Sequence, residues 1–322
     1  MPDPSENRRR YPLIVNPRAK SERGYRAMEF IEAHSHRFEI HRTQSREEAI
    51  ELTRKFAKVG EDVVITAGGD GTVNAAIEGL AGSSTTLGVF PTGTMNVFAR
   101  EMGIPFDRLE KSMAVIDDGC RKEVDLFEMN GVPFVQMAGV GFDAQVIEAT
   151  SWESKRRLGP LAYLLAGVRV LGTVPPAMTV LTEEGRELHG VCLLIGNGSL
   201  YGGHFPLFRT ARNTDELLDV IIFKESGFQF IRDSLRGLVK GGIDPLSPGK
   251  SVEYFQAARI RVTSAEAIPV EIDGELWGRT QEINFRSSGK KLSVFAPEKP
   301  EVNRWLDFLR TVNPFYRSIG SD

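Results

Sequence analysis

The sequence has little of what marks several large protein classes. It has two cysteines in 322 residues, Cys120 and Cys192, far apart and without Cys-x-x-Cys spacing. A thiolate zinc site is therefore not expected, and the two thiols read as reduced residues of a cytosolic protein. Long apolar runs are lacking too. The most apolar stretch of the later chain, 158–171, is broken by Gly159, Pro160 and Gly167 and carries Arg169. It is too short and too polar to span a bilayer. Residues 1–10 are polar, with Arg8, Arg9 and Arg10 and no apolar core, so they do not form a secretory signal. Charge of one sign is also scarce. The net charge of −3 does not suit nucleic-acid binding, and any basic surface must be local.

What remains is an ordinary globular composition, 41% hydrophobic and 26% charged. A chain of this length exceeds one comfortable core and implies two domains. The first 127 residues alternate strand and helix. The short apolar run at 12–16 reads as a buried strand, and further strands are expected at 38–42, 62–66 and 86–90. Ser45 with Glu48 three residues on forms a capping box, and Gly60 stops that helix. A further helix is expected from Asp107 to about Gly119. Such alternation argues for a mainly parallel sheet covered by helices.

The pattern then changes. Residues 124–129 and 132–137 flank Asn130-Gly131, a pair suited to a type I′ hairpin turn. Helix is expected over 143–171, 228–238 and 302–312. Between these lie strands at 177–181, 188–195, 218–223, 258–263, 269–272 and 281–295, an antiparallel sheet or sandwich.

Two glycine loops carry the chemistry. The strand at 62–66 runs into Gly68-Gly69-Asp70-Gly71-Thr72, and a helix follows with Val73, Ala76, Ile77 and Leu80 on one face. Backbone N–H groups and a helix N-terminus hold phosphate in that context, and glycine permits close approach or positive φ. Asp70 would repel phosphate unless a cation lies between them, which makes it a Mg²⁺ candidate. The plainer reading is a turn aspartate capping the next helix. The strand at 86–90 leads to a second loop, Pro91-Thr92-Gly93-Thr94-Met95-Asn96. Met95, Phe98, Ala99 and Met102 then give a second helical face. Thr72 and Thr94 offer hydroxyls to phosphate, and Asn96 offers an amide to phosphate or loop backbone. Both loops fall where ligands bind in open α/β sheets. A P-loop is absent: Gly249-Lys250-Ser251 has Asp244 where the first glycine belongs.

These residues resemble a known family. Gly68 to Thr72 with Val73-Asn74, and Gly93-Thr94-Met95-Asn96 with Phe98-Ala99-Arg100, are similar to the catalytic domain of diacylglycerol kinases. Sphingosine, ceramide and soluble bacterial lipid kinases belong to the same family. Val15-Asn16-Pro17-Arg18-Ala19 looks like its first strand and loop. The resemblance implies a nucleotide-binding α/β domain over 1–130 with 298–322, and a β-rich lipid-substrate domain over 131–297. It implies ATP and Mg²⁺ as cofactors and a lipid hydroxyl as acceptor, entering between the domains. Asn16, Thr43, Gly68, Gly69, Asp70, Gly71, Thr72, Gly93, Thr94 and Asn96 would contact the nucleotide. Asp273-Gly274-Glu275 matches the family's late motif, in which the glutamate is the general base. Its spacing alone suggests a hairpin turn. Residues 212–217 look like a structural Mg²⁺ loop, with Asp215 giving its side chain and Arg212 and Leu217 their carbonyls.

The chain departs from the family pattern at Ala75, where glutamate is common, at Val97, where aspartate is common, and at Glu216, where glycine is common. An NAD kinase shares the first loop, and a nucleotide-binding regulator without turnover fits the departures; both remain alternatives. A lipid acceptor implies a cytoplasmic protein in transient peripheral contact with a membrane. Trp152, Lys155, Arg156 and Arg157, ahead of Leu158 to Val168, are the candidate contact. The glycine-rich stretch around Asn197 reads either as cleft lining or as a plain loop, and His204 beside it has no evident role. Oligomeric state is left open.

Overall fold

The computed structural model describes residues 10–16, 22–106, 108–141, 144–145, 176–201, 203, 205–225, 241–246 and 248–299. The chain divides into two compact units, residues 1–124 with 291–301, and residues 125–290 with 302–322.

The first unit holds β1 (Tyr11–Val15), α1 (Glu22–Ala33), β2 (Phe38–Arg42), α2 (Arg46–Lys58), β3 (Val63–Gly68), α3 (Asp70–Leu80), β4 (Thr86–Pro91), α4 (Val97–Glu101) and α5 (Leu109–Asp118). The sheet order is β2-β1-β3-β4, all parallel, with Val294 paired to Leu87 beyond β4. Strands β3 and β4 are buried along their whole length, the continuous apolar pattern expected when helices cover both faces. Phe90 is fully buried and meets Phe30 and Phe38 edge to face, with centroids 6.1 and 5.8 Å away. Burying a ring of this size is worth about 1.5–3 kcal/mol. Ser45 caps α2 by accepting from the Glu48 N–H at 3.2 Å. The Glu48 carboxylate reaches back to the N–H of Gln44, one residue before the cap.

The second unit holds most of β5 (Arg121–Met129), then β6 (Val132–Phe134), β7 (Met137–Gly141), β8 (Met178–Thr182), β9 (Glu187–Gly190), β10 (Cys192–Gly196), β11 (Leu200–Tyr201), β12 (Phe205–Pro206), β13 (Leu218–Phe223), β14 (Val252–Ala257), β15 (Arg259–Ile272) and most of β16 (Glu275–Phe295). Its strands run β14-β13-β10-β7-β15-β16, antiparallel throughout, with β8 beside β15 and β9 beside β8. Phe127, Phe134 and Phe285 pack in its main core, with ring centroids about 6 Å apart. Asn130 (φ 48°) and Gly131 (φ 86°) make the left-handed turn between β5 and β6.

Some elements differ from the sequence reading. The apolar run 188–195 is two strands, because β9 pairs β8 while β10 pairs β7 and β13. The runs 258–263 and 269–272 are one strand, β15, irregular between Thr263 and Ile268. The helix expected from Met95 to Met102 is only α4, since Asn96 takes a left-handed conformation (φ 51°, ψ 50°) and Met95 stays outside. The helices expected over 143–171, 228–238 and 302–312 lie outside the described residues, apart from 144–145, as do the loop 17–19, the candidate membrane contact 152–168 and His204.

Candidate active site

In the first unit, Asn16, Thr43 and both glycine loops follow the carboxyl ends of adjacent parallel strands. Val15 pairs Arg42 and Ala67, and Gly68 pairs Pro91, so the residues after them share one sheet edge. That edge is where open α/β sheets place ligands. Thr43 is buried, and its N–H donates to the carbonyl of Val15 at 3.0 Å. Thr72 is also buried, whereas Thr94 is exposed and presents its hydroxyl.

The two loops touch backbone to backbone. A Cβ on Gly93 would lie 2.5 Å from the Cα of Gly69, and one on Gly68 would lie 2.4 Å from the Cβ of Thr72. Neither Gly68, Gly69, Gly71 nor Gly93 has positive φ. Close packing of the loops, not unusual backbone angles, therefore requires glycine at 68 and 93. The Thr92 N–H donates to the Gly68 carbonyl at 3.0 Å, and the Asn96 side chain exchanges two hydrogen bonds with the Gly93 backbone.

Asp70 completes the lock. Its carboxylate accepts from the Asn96 N–H at 2.9 Å and from the Val97 N–H at 2.6 Å. It thus caps α4, not the helix it begins. Burial raises its pKa, opposed by these bonds and by the nearby Arg100 charge. Arg100 is itself buried, with its guanidinium over the Phe106 ring and Nε donating to the Met95 carbonyl at 2.5 Å. A desolvated carboxylate at a phosphate-type loop fits a cation, whose charge would favour the ionised form. Val97 supplies a backbone donor that any side chain would leave in place. Ala75 is fully buried on α3, so a carboxylate there would have to be desolvated.

In the second unit, Asp273 (φ 50°) and Gly274 (φ 84°) form the left-handed turn from β15 to β16. Glu275 is exposed at the start of β16. The Asp273 carboxylate accepts from the N–H groups of Val135 at 3.1 Å and of Gln136 and Met137 at 2.9 Å. The Gly274 N–H donates to the fully buried Glu271 at 2.9 Å. Sequence reasoning read Asp273 only as part of a turn motif and passed over Glu271. The turn signal hid an aspartate side chain that bonds across to another strand.

The loop 212–217 precedes β13. Asp215 accepts from the Leu217 N–H at 3.1 Å. Glu216 sits at φ 60°, the conformation that favours glycine, and its N–H donates to the Asp125 carboxylate at 2.7 Å. The substitution keeps the glycine-like backbone at a cost of about 1–2 kcal/mol. Carboxylate and carbonyl oxygens are hard donors suited to Mg²⁺, and the charge of Asp215 acts on buried Asp219. Among the described residues no group of three or more His, Cys, Asp or Glu side chains is placed to hold a metal. A cation here would rely on Asp215 and backbone carbonyls.

Asp219, also missed from sequence, accepts from Tyr254 at 2.6 Å, Thr210 at 3.1 Å and Gln256 at 3.1 Å. Burial raises its pKa above 3.8, those bonds lower it, and Asp215 raises it further. The folded protein therefore holds this proton to higher pH than the unfolded chain does. Asp219's contribution to stability falls as pH rises from 3.8 through its raised value. The melting temperature of the wild type minus that of Asp219→Asn should fall as pH rises above 3.8, measured by calorimetry. A constant difference would refute it.

Comparison with known proteins gives the family and the fold. A profile describing the diacylglycerol kinase catalytic domain matches residues 10–129. A second, the YegS C-terminal NAD kinase beta sandwich-like domain, matches residues 136–295. The chain is 30% identical to a diacylglycerol kinase of Bacillus subtilis, over 74% of this chain and 79% of that protein. The chain belongs to the diacylglycerol kinase catalytic-domain family. It is also 34% identical to a Pseudomonas aeruginosa protein named "Probable lipid kinase YegS-like", over 78% and 82% of the two chains. A crystal structure of a diacylglycerol kinase from Bacillus anthracis shares the fold, with a TM-score of 0.67 at 22% identity over 90% of this chain and 97% of that one. The two-domain expectation holds: a parallel α/β unit followed by an antiparallel β-rich unit, in a lipid kinase family.

Proposed function

We propose that the protein is an ATP- and Mg²⁺-dependent lipid kinase that transfers the γ-phosphate to a hydroxyl of a lipid such as diacylglycerol or a sphingoid lipid. The observation that carries this reading is the Asp70 lock, which joins two glycine loops at the carboxyl edge of a parallel sheet. Phosphoryl transfer asks mainly for positioning and charge neutralisation. The loops 68–72 and 93–96 hold the nucleotide phosphates, with Asn16 and Thr43 beside them on the same edge. Asp70 would hold a Mg²⁺, and the side chain of Asp215 with the carbonyls of Arg212 and Leu217 would hold a second, structural one. Bound magnesium offsets charge on the phosphate oxygens. Glu275, exposed on a turn pinned by Asp273, takes the proton of the lipid hydroxyl.

A lipid acceptor entails transient peripheral contact of a cytoplasmic protein with a bilayer. Among the described residues no helix is long and apolar enough to cross a membrane. The test is mass spectrometry of lipid extracts after incubation with the protein, ATP and Mg²⁺. A phosphorylated lipid is the expected product. NADP formed from NAD, with no phosphorylated lipid from a broad panel, would overturn the reading.

A further inference from the structure

Asn197 lies between Gly196 and Gly198, directly after β10, and is fully buried. Its Nδ2 donates to two carbonyls, that of Asp125 at 2.8 Å and that of Val135 at 2.7 Å. Its backbone N–H donates to the carbonyl of Gln136 at 2.9 Å. Its Oδ1 meets no hydrogen-bond partner. The two donated bonds fix which way the amide faces, and they offset the burial of an idle oxygen.

Each carbonyl belongs to a segment that ends at a different part of the site. Asp125 donates its N–H to the Asn213 carbonyl at 2.9 Å and accepts the Glu216 N–H on its carboxylate at 2.7 Å. It therefore holds the loop 212–217 at two points. Val135, with Gln136 and Met137, donates to the Asp273 carboxylate, and the Asp273 N–H returns a bond to the Met137 carbonyl at 2.8 Å. Glu275 is two residues further on. One side-chain amide thus stands between the loop 212–217 and the turn 273–275.

We infer that Asn197 is a positioning residue, a clamp that holds the turn carrying Glu275 in register with the loop 212–217. The inference rests on the reading of Glu275 as the base. Asparagine suits the place because its NH₂ carries two diverging protons for two carbonyls and brings no charge. Alanine would remove both bonds. Aspartate has the same shape but would set oxygen against oxygen. Gly196 keeps the end of β10 against Phe208, since a Cβ there would lie 2.5 Å from the ring. Gln136 adds a bond from its Nε2 to the Leu200 carbonyl at 3.3 Å, so the clamped segment is also tied beyond the loop.

The test compares Asn197→Ala and Asn197→Asp with Val180→Ala, a substitution on β8 in the core of the same unit, outside both clamped segments. For the Asn197 variants, kcat for lipid phosphorylation per folded molecule should fall about tenfold or more, with the KM for ATP within about twofold. Val180→Ala should lower the melting temperature and keep kcat within about twofold. Equal losses of kcat in Val180→Ala and Asn197→Ala would assign the effect to stability and overturn the clamp. Hydrogen exchange tests the clamp without turnover. In Asn197→Ala the amides of Val135, Gln136, Met137 and Glu216 should lose protection together by about tenfold, while those of β8 and β9 keep theirs. Loss on one side alone would also overturn it. A wild-type protein that phosphorylates no lipid would refute the proposed function, and the exchange result would still decide the clamp.

Discussion

Asp70→Ala is expected to lower kcat by about 100-fold or more while the protein stays folded. The carboxylate accepts the Asn96 and Val97 N–H groups at 2.9 and 2.6 Å, so it sets where the second loop sits against the first. Removing it frees two backbone donors and deletes the charge that faces the proposed Mg²⁺. Asp70→Asn keeps the volume but offers one acceptor oxygen to two donors. Its NH₂ group must point at an N–H. A comparable loss is expected from Asn, which separates the lock from a simple loss of bulk. The measurement is steady-state lipid phosphorylation with circular dichroism as the check on folding. A near wild-type rate in either variant would remove Asp70 from the mechanism.

Glu275→Gln should lower kcat by about 10²- to 10⁴-fold, the span that positioned acid–base catalysis supplies. The KM for ATP should stay within about twofold, because the nucleotide loops are built from other segments. Stability should change by no more than about 0.5 kcal/mol, since Glu275 is exposed and its turn is held by Asp273 and Gly274. Unchanged turnover in the glutamine variant would show that another group takes the proton. The buried Glu271, hydrogen-bonded to Gly274, would then be the next residue to replace.

Much of the first unit was legible because its signals are local. Strands β1, β3 and β4 are short apolar runs, and each is followed by the polar or glycine residues that end it. The Ser45 cap is a four-residue pattern that the structure reproduces in the bond from the Glu48 N–H. The turn at Asn130-Gly131 was equally clear, because few residue pairs accept two positive φ angles. The helix after the second loop was over-read. Met95, Phe98, Ala99 and Met102 have helical spacing, but Asn96 turns left-handed to bring its own N–H and that of Val97 to Asp70. A contact across 26 residues of sequence overrode the local period.

The glycines teach a related point. Sequence offered two reasons for Gly68 and Gly93, positive φ or close approach. The structure selects close approach, because the neighbour of Gly93 is the backbone of Gly69. Likewise Glu216 stands where glycine is common in the loop 212–217. It takes φ 60° and is held there by Asp125, a residue no motif singled out.

The sequence by itself determined the strand–helix alternation of the first unit, the two-part architecture, the paired glycine loops and the family. These follow from period, turn chemistry and short motifs, which act over a few residues. Only the tertiary structure decided what those residues do to each other. It showed that Asp70 caps the second loop, that Asp273 gathers three N–H groups, and that Asn197 grips two distant carbonyls. Those are bonds between segments far apart in the chain. Their geometry depends on strand register and on which buried donors lack partners, and neither is written in any local stretch of sequence.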